Sequence, residues 1–180
     1  MDTIFTARDG RDIHVREAQG DDAAMVIEYI ETIAGETDYL TFGKGEFGIS
    51  ETEEYEILEK AHDAPNVLYI LAFLDNTLCG ALDFSCGKRP RMRHTGHFGI
   101  SVLKSFWDLG VASALIDTLV DWSRASGVTK INLEVREDNH RAIDLYKRKG
   151  FVEEGRISKA MYVGGVYYVN IAMGVDLDKI

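Results

Sequence analysis

The amino-acid sequence predicts an α/β fold: a central mixed sheet, mostly antiparallel, flanked by helices. Three observations predict it. Apolar residues alternate with period two in several short segments and recur every three to four residues in others. These segments follow one another as β, α, α, β, β, β, α, β, α, β, β. Turn residues join the middle and the final strands directly, while helices separate the later ones, so hairpins and crossovers share one sheet. The chain has 180 residues, a length that suits one domain with a continuous core. No linker, repeat or shift of composition divides it, and a single domain over residues 1–180 is expected.

The first strand is read over Arg11–Glu17, where Ile13 and Val15 alternate with polar neighbours. Asp21 and Asp22 then precede Ala23, Val26, Ile27, Ile30 and Ile33, an apolar stripe at helical spacing that Gly35 closes. Residues 36–49 carry three glycines with Tyr39, Phe42 and Phe47, the pattern of a loop displaying aromatic groups. Ser50 and Glu53 form a capping box for a second helix, Glu51–His62. Val67–Leu74 is apolar throughout, as a strand covered on both faces would be. Asp75-Asn76 turns it into a hairpin partner, Thr77–Ser85. A basic connection, Lys88–Arg93, leads to a strand over His94–Val102. Gly110 begins a long amphipathic helix that Gly127 ends. Thr129–Arg136 alternates again, Asn139–Lys149 is helical, and two last strands, Phe151–Val163 and Val166–Met173, meet at Gly164-Gly165.

Composition narrows the function. The net charge of −10 argues against generic nucleic-acid binding, which needs a positive face. It favours a cationic acceptor, although an acidic surface also serves solubility. No apolar run is long enough to span a membrane, and the N-terminus lacks a signal-peptide pattern, so a cytoplasmic protein is expected. Cys79 and Cys86, seven residues apart, would lie roughly 23 Å apart on one strand, too far for a disulfide. Free thiols fit a reducing compartment. The five histidines show no metal-ligand spacing, and no metal is expected.

Two segments carry chemistry. Ile100 to Leu115 runs from a strand through a short loop into the helix at Gly110. The first-turn N–H groups of such a helix lack internal partners and attract anions. Gly110 and Ala112 let a pyrophosphate approach the backbone, though small residues at a helix start also serve packing. In the second segment Asn139 caps a helix whose inner side bears Ala142, Ile143, Leu145 and Tyr146. A phenol two turns beyond the cap is placed to protonate a leaving thiolate, or else to pack as a core aromatic.

Together these segments resemble the GNAT acetyltransferase superfamily. The family pattern Gln/Arg-x-x-Gly-x-Gly/Ala falls on Trp107-Asp108-Leu109-Gly110-Val111-Ala112. The later pattern Asn-x-x-Ala-x-x-Leu-Tyr-x-x-x-Gly-Phe is matched at Asn139, Ala142, Leu145, Tyr146, Gly150 and Phe151. Trp107 replaces the opening Gln or Arg, and Asp108 brings a negative charge close to the phosphate position. Lys104, Arg141, Lys147 and Arg148 are the cations available to offset it.

The resemblance implies an N-acetyltransferase that moves an acetyl group from acetyl-CoA to a primary amine by direct attack. It implies splayed fourth and fifth strands, here His94–Val102 and Thr129–Arg136, with the pantetheine arm between them. Backbone at Ile100 and Val102 would bind that arm, Trp107 to Ala112 the pyrophosphate, and Asn139, Ala142, Tyr146 and Lys149 would complete the cofactor site. Tyr146 would face the sulfur. Glu134 and His97 are the candidate bases, and a backbone N–H near Val102 would stabilise the oxyanion. The acceptor pocket would fall at residues 36–49, with Glu36 or Asp38 attracting a cation and Tyr39, Phe42 and Phe47 lining it. A homodimer is expected by the same analogy. The competing expectation is a GNAT fold that binds acyl-CoA without turnover.

Overall fold

The computed structural model describes residues 1–179. One eight-stranded sheet runs through it in the order β1-β2-β3-β4-β5-β6-β8-β7. The strands are β1 (Asp2–Thr6), β2 (Asp12–Glu17), β3 (Val67–Leu74), β4 (Thr77–Cys86), β5 (Thr95–Val102), β6 (Lys130–Arg136), β7 (Val152–Val163) and β8 (Val166–Asp176). Four α-helices accompany them: α1 (Ala23–Glu36), α2 (Glu51–Asp63), α3 (Val111–Ala125) and α4 (His140–Arg148). The strand β1 lies outside the expected element order. It pairs antiparallel with β2 at the sheet edge. Every strand pair is antiparallel except β5–β6.

Helix α3 packs on one face of the sheet. Leu115, Ile116 and Leu119 are fully buried there with Ile70, Leu82 and Phe84. Each such side chain contributes about 1.5–3 kcal/mol relative to exposure. The opposite face carries α1 and α2, whose Val26, Ile33 and Leu58 bury against Leu71 and Ala81. Helix α2 begins at the expected box: Ser50 Oγ accepts from the Glu53 N–H at 3.3 Å, and Glu53 Oε2 accepts from the Ser50 N–H at 2.9 Å. The Asp75-Asn76 turn has positive φ at both residues, 51° and 61°, as a tight two-residue hairpin requires.

Cys79 and Cys86 both lie on β4 and are free. Burial pushes the Cys79 thiol up to about 12, so it is an inert core group. Among the described residues no helix is long and apolar enough to cross a membrane, and no three His, Cys, Asp or Glu residues gather into a metal-binding group.

Candidate active site

Strands β5 and β6 pair only at Thr95–Lys130, Gly96–Ile131 and His97–Asn132. Beyond that point β5 continues beside β4 and β6 continues beside β8, and the two part. The Thr95 carbonyl accepts from Gly87 on the β4 side, and the Gly96 carbonyl accepts from the Asn132 side chain on the β6 side. Alternation along the strand therefore turns the backbone groups of Phe98, Ile100 and Val102 toward the gap. The Val102 carbonyl is taken by the Trp107 indole N–H at 2.7 Å. That bond leaves Ile100 and the Val102 N–H for an incoming strand-like group.

A cavity of about 790 Å³ follows this gap. One end is closed by the start of α3. Gly110 caps that helix at φ 102°, a left-handed conformation that disfavours a side chain. The N–H groups of Val111, Ala112 and Ser113 open the helix, and these residues line the cavity. Asp108, at φ 64°, also adopts the left-handed conformation, which glycine, asparagine and aspartate enter most readily. Its carboxylate does not face the helix end unpaired: Arg141 Nη2 lies 2.8 Å from it, and the Arg141 guanidinium stacks over the Trp107 ring at 4.5 Å. Arg8, Arg141 and Arg148 line the same cavity and supply positive charge. Arg8 comes from the β1–β2 turn, whose backbone N–H binds the Leu109 carbonyl at 3.0 Å.

Helix α4 sends Asn139, Ala142, Leu145 and Tyr146 into the cavity wall. Asn139 caps the helix by accepting from the Ala142 N–H at 3.3 Å. Tyr146 is buried at 7% exposure, edge-on to Phe98 with ring centroids 6.0 Å apart. Among the described residues its hydroxyl has no hydrogen-bond partner, and burial pushes its pKa up, so the phenol keeps its proton at neutral pH. Lys149 is not part of this wall. Its Nζ binds both Asp117 carboxylate oxygens at 2.7 Å and ties α4 to α3.

His97 and Glu134 both line the cavity, on opposite sides of the gap. Glu134 Oε2 accepts from Asn170 Nδ2 at 3.1 Å. The loop after α1 contributes Tyr39, Phe42 and Phe47 to the wall, but not Glu36, whose carboxylate accepts from the Lys104 backbone N–H at 2.8 Å. Asp38 presents its carbonyl to Arg136 Nη1 at 2.9 Å. Arg136 also grips Asp138 with Nε and Nη2 and lies between the Tyr39 and Tyr168 rings, at 4.4 and 3.9 Å. This clamp holds the loop over the cavity.

The sequence pattern gives no sign of several other lining groups, among them Glu54 on α2, Tyr69 on β3, Asp83 on β4 and Arg136 on β6. Their alternation and spacing are ordinary for a helix and three strands. Only the packing of α2 over the sheet brings them together.

Comparison with known proteins agrees with this geometry. The sequence profile of the acetyltransferase (GNAT) family matches residues 27–151. The L-amino acid N-acetyltransferase AaaT of Escherichia coli (strain K12) is 35% identical over 113 residues, 61% of this chain and 68% of that protein. The solved acetyltransferase of the GNAT family from Streptococcus pneumoniae superposes with a TM-score of 0.87 at 28% identity, covering 91% of this chain and 98% of that one. The fold is shared with yncA of Salmonella typhimurium, solved with its cofactor acetyl-CoA, at a TM-score of 0.80, 16% identity and coverage of 92% and 94%. The parted strands, the open helix start and the profile match over most of the chain place this protein in the GNAT family of N-acetyltransferases.

Proposed function

We propose that the chain, acting as one catalytic domain, transfers the acetyl group of acetyl-CoA to a primary amine of a small molecule or peptide within a ternary complex. The observation that carries this reading is the gap between β5 and β6 with the Tyr146 phenol on its wall and the start of α3 at its end. Acetyl-CoA supplies the activated acyl group. The residues present fit it. Gly110 and the first-turn amides of α3 accept phosphate with Arg8, Arg141 and Arg148 nearby. Ile100 and Val102 bind the arm as a neighbouring strand would. Asn139 keeps its amide N–H₂ for the same arm while its oxygen caps α4.

An alkylamine is mostly protonated at pH 7, with a pKa of about 10.4, so a wall group must take a proton before attack. His97 and Glu134 stand on the wall for that role. The Val102 N–H steadies the developing oxyanion. Tyr146, held protonated by burial, returns a proton to the departing sulfur. This phenol favours turnover over a binding-only module.

Acetyl-CoA mixed with a panel of amines should release thiol. Tight CoA binding with no release on any amine would overturn the reading in favour of the binding module. Tyr146→Phe should lower kcat about 10- to 100-fold with CoA affinity little changed. An unchanged rate would remove Tyr146 from the acid role.

A homodimer and a cytoplasmic location complete the reading. Exposed Tyr162, Val166 and Tyr167 on the terminal hairpin support the first, and two unpaired thiols the second.

A further inference from the structure

Glu54 is 2% exposed, yet no hydrogen bond or ion pair reaches its carboxylate among the described residues. It lines the cavity on the α2 side. Burying a carboxylate without a partner is costly, and burial pushes this group above its ordinary range. Unpartnered, perturbed acids of this kind gather at functional sites.

A second carboxylate faces the same space. Asp83 stands opposite Gly99 in the β4–β5 register, and Tyr69 stands opposite Asp83 on β3. A Cβ at position 99 would come within 2.8 Å of Asp83 Oδ1, so the glycine makes room for this carboxylate. Asp83 is an exposed residue of β4 that lines the cavity, and the surrounding protein removes enough bulk water to push its carboxyl up as well. Tyr69 lies within the electrostatic reach of both acids, and their charges help to raise its phenol. Phe42, Phe47 and Tyr39 line the same cavity, and aromatic side chains near a cation favour it.

Arg136 also lines this cavity. Each of its nitrogens already donates, to Asp138 or to the Asp38 carbonyl, and it stacks with the Tyr39 and Tyr168 rings. A carboxylate on the acceptor would therefore meet two acids and a committed guanidinium.

We propose that Glu54 and Asp83, which line the cavity with Tyr69, form a cation pocket that selects an acceptor with a second positive charge and no carboxylate. The chemical class is a diamine. This rests on the acetyltransferase reading, since the pocket would hold the acceptor beside the gap.

Three probes share one carbon chain and separate the cases: 1,4-diaminobutane, ornithine with its added carboxylate, and butylamine without the second charge. With acetyl-CoA, kcat/KM should be highest for 1,4-diaminobutane, by about 10-fold or more over each of the others. Glu54→Gln and Asp83→Asn should each raise the KM for 1,4-diaminobutane by about 10-fold and leave that for acetyl-CoA within about 2-fold. Calorimetric binding of 1,4-diaminobutane to the CoA-saturated protein reads the pocket without turnover. Binding that is present in the wild type and lost in Glu54→Gln supports the pocket even if no amine is acetylated, an outcome that would sink the acetyltransferase reading alone. Preference for ornithine, or diamine binding untouched in both folded variants, overturns the proposal.

Discussion

Glu54 and Asp83 hold their protons more tightly in the fold than in the unfolded chain, because burial penalises the charged forms. Tyr69 from β3, Tyr29 from α1, His97 from β5 and Arg136 from β6 face the same cavity. The sign of the linkage follows from the raised values. The stability these two acids contribute is fully present below their ordinary values of 4.5 and 3.8, and it is lost as pH rises through the raised ones. Asp22 and Asp138 run the opposite way. Arg16 and Arg136 hold them low, so their contribution is lost as pH falls. Between about pH 4 and 7, calorimetry should show the wild-type Tm falling relative to a Glu54→Gln/Asp83→Asn double variant, by a few degrees. Parallel curves would mean that neither acid is strained by its position. The amide pair should melt no lower than wild type at pH 7, which a purely structural role for the acids does not predict.

Arg136 joins two elements that the sequence leaves unconnected. It stands on β6, and its clamp on the Asp38 carbonyl and the Tyr39 ring fixes where the acceptor loop lies. Arg136→Ala should raise the acceptor KM by about 10-fold with little effect on that for acetyl-CoA, and lower stability by about 2–3 kcal/mol. An equal loss for both substrates would mean that the clamp supports β6 rather than the loop. Helices and hairpins were legible where one local rule decided them. Ser50 and Glu53 fixed the start of α2, and Asp75-Asn76 fixed the β3–β4 turn. The alternation of Ile131, Leu133 and Val135 located β6. Strand β1 was missed because Asp2–Thr6 is short, half polar and at the edge, so burial imposes little pattern on it. Gly110, Asn139 and Tyr146 were legible because their motif is local. The sequence pattern points to Glu36 and Lys149 as site groups, whereas in the structure each meets a nearer partner, the Lys104 N–H and Asp117. No local rule announces that choice. Glu54, Asp83 and Arg136 depend on packing between distant segments, so spacing along the chain carried no sign of them.

The assembled fold has two regions that ask for company. One is the terminal hairpin of β7 and β8, where Tyr162 and Tyr167 pack ring to ring at 4.7 Å with Val166 exposed beside them. We propose that this exposed aromatic patch is where two copies of the chain associate. Light scattering should give a mass about twice the 20.1 kDa of one chain. A Tyr162→Glu/Tyr167→Glu variant should return the single-chain mass, and a monomeric wild type would remove the homodimer from the reading.

The other region is the seam between β5 and β6, held by three residue pairs. It divides the sheet into a five-strand and a three-strand leaf, and a bound pantetheine arm would serve as the missing rung between them. Ligand present at about 100 times its Kd adds about 2.7 kcal/mol to the folded state. The lifetime of this protein in a cell would then follow the supply of its own substrate. With less coenzyme A bound, that added stability would be lost and the chain would be more open to degradation.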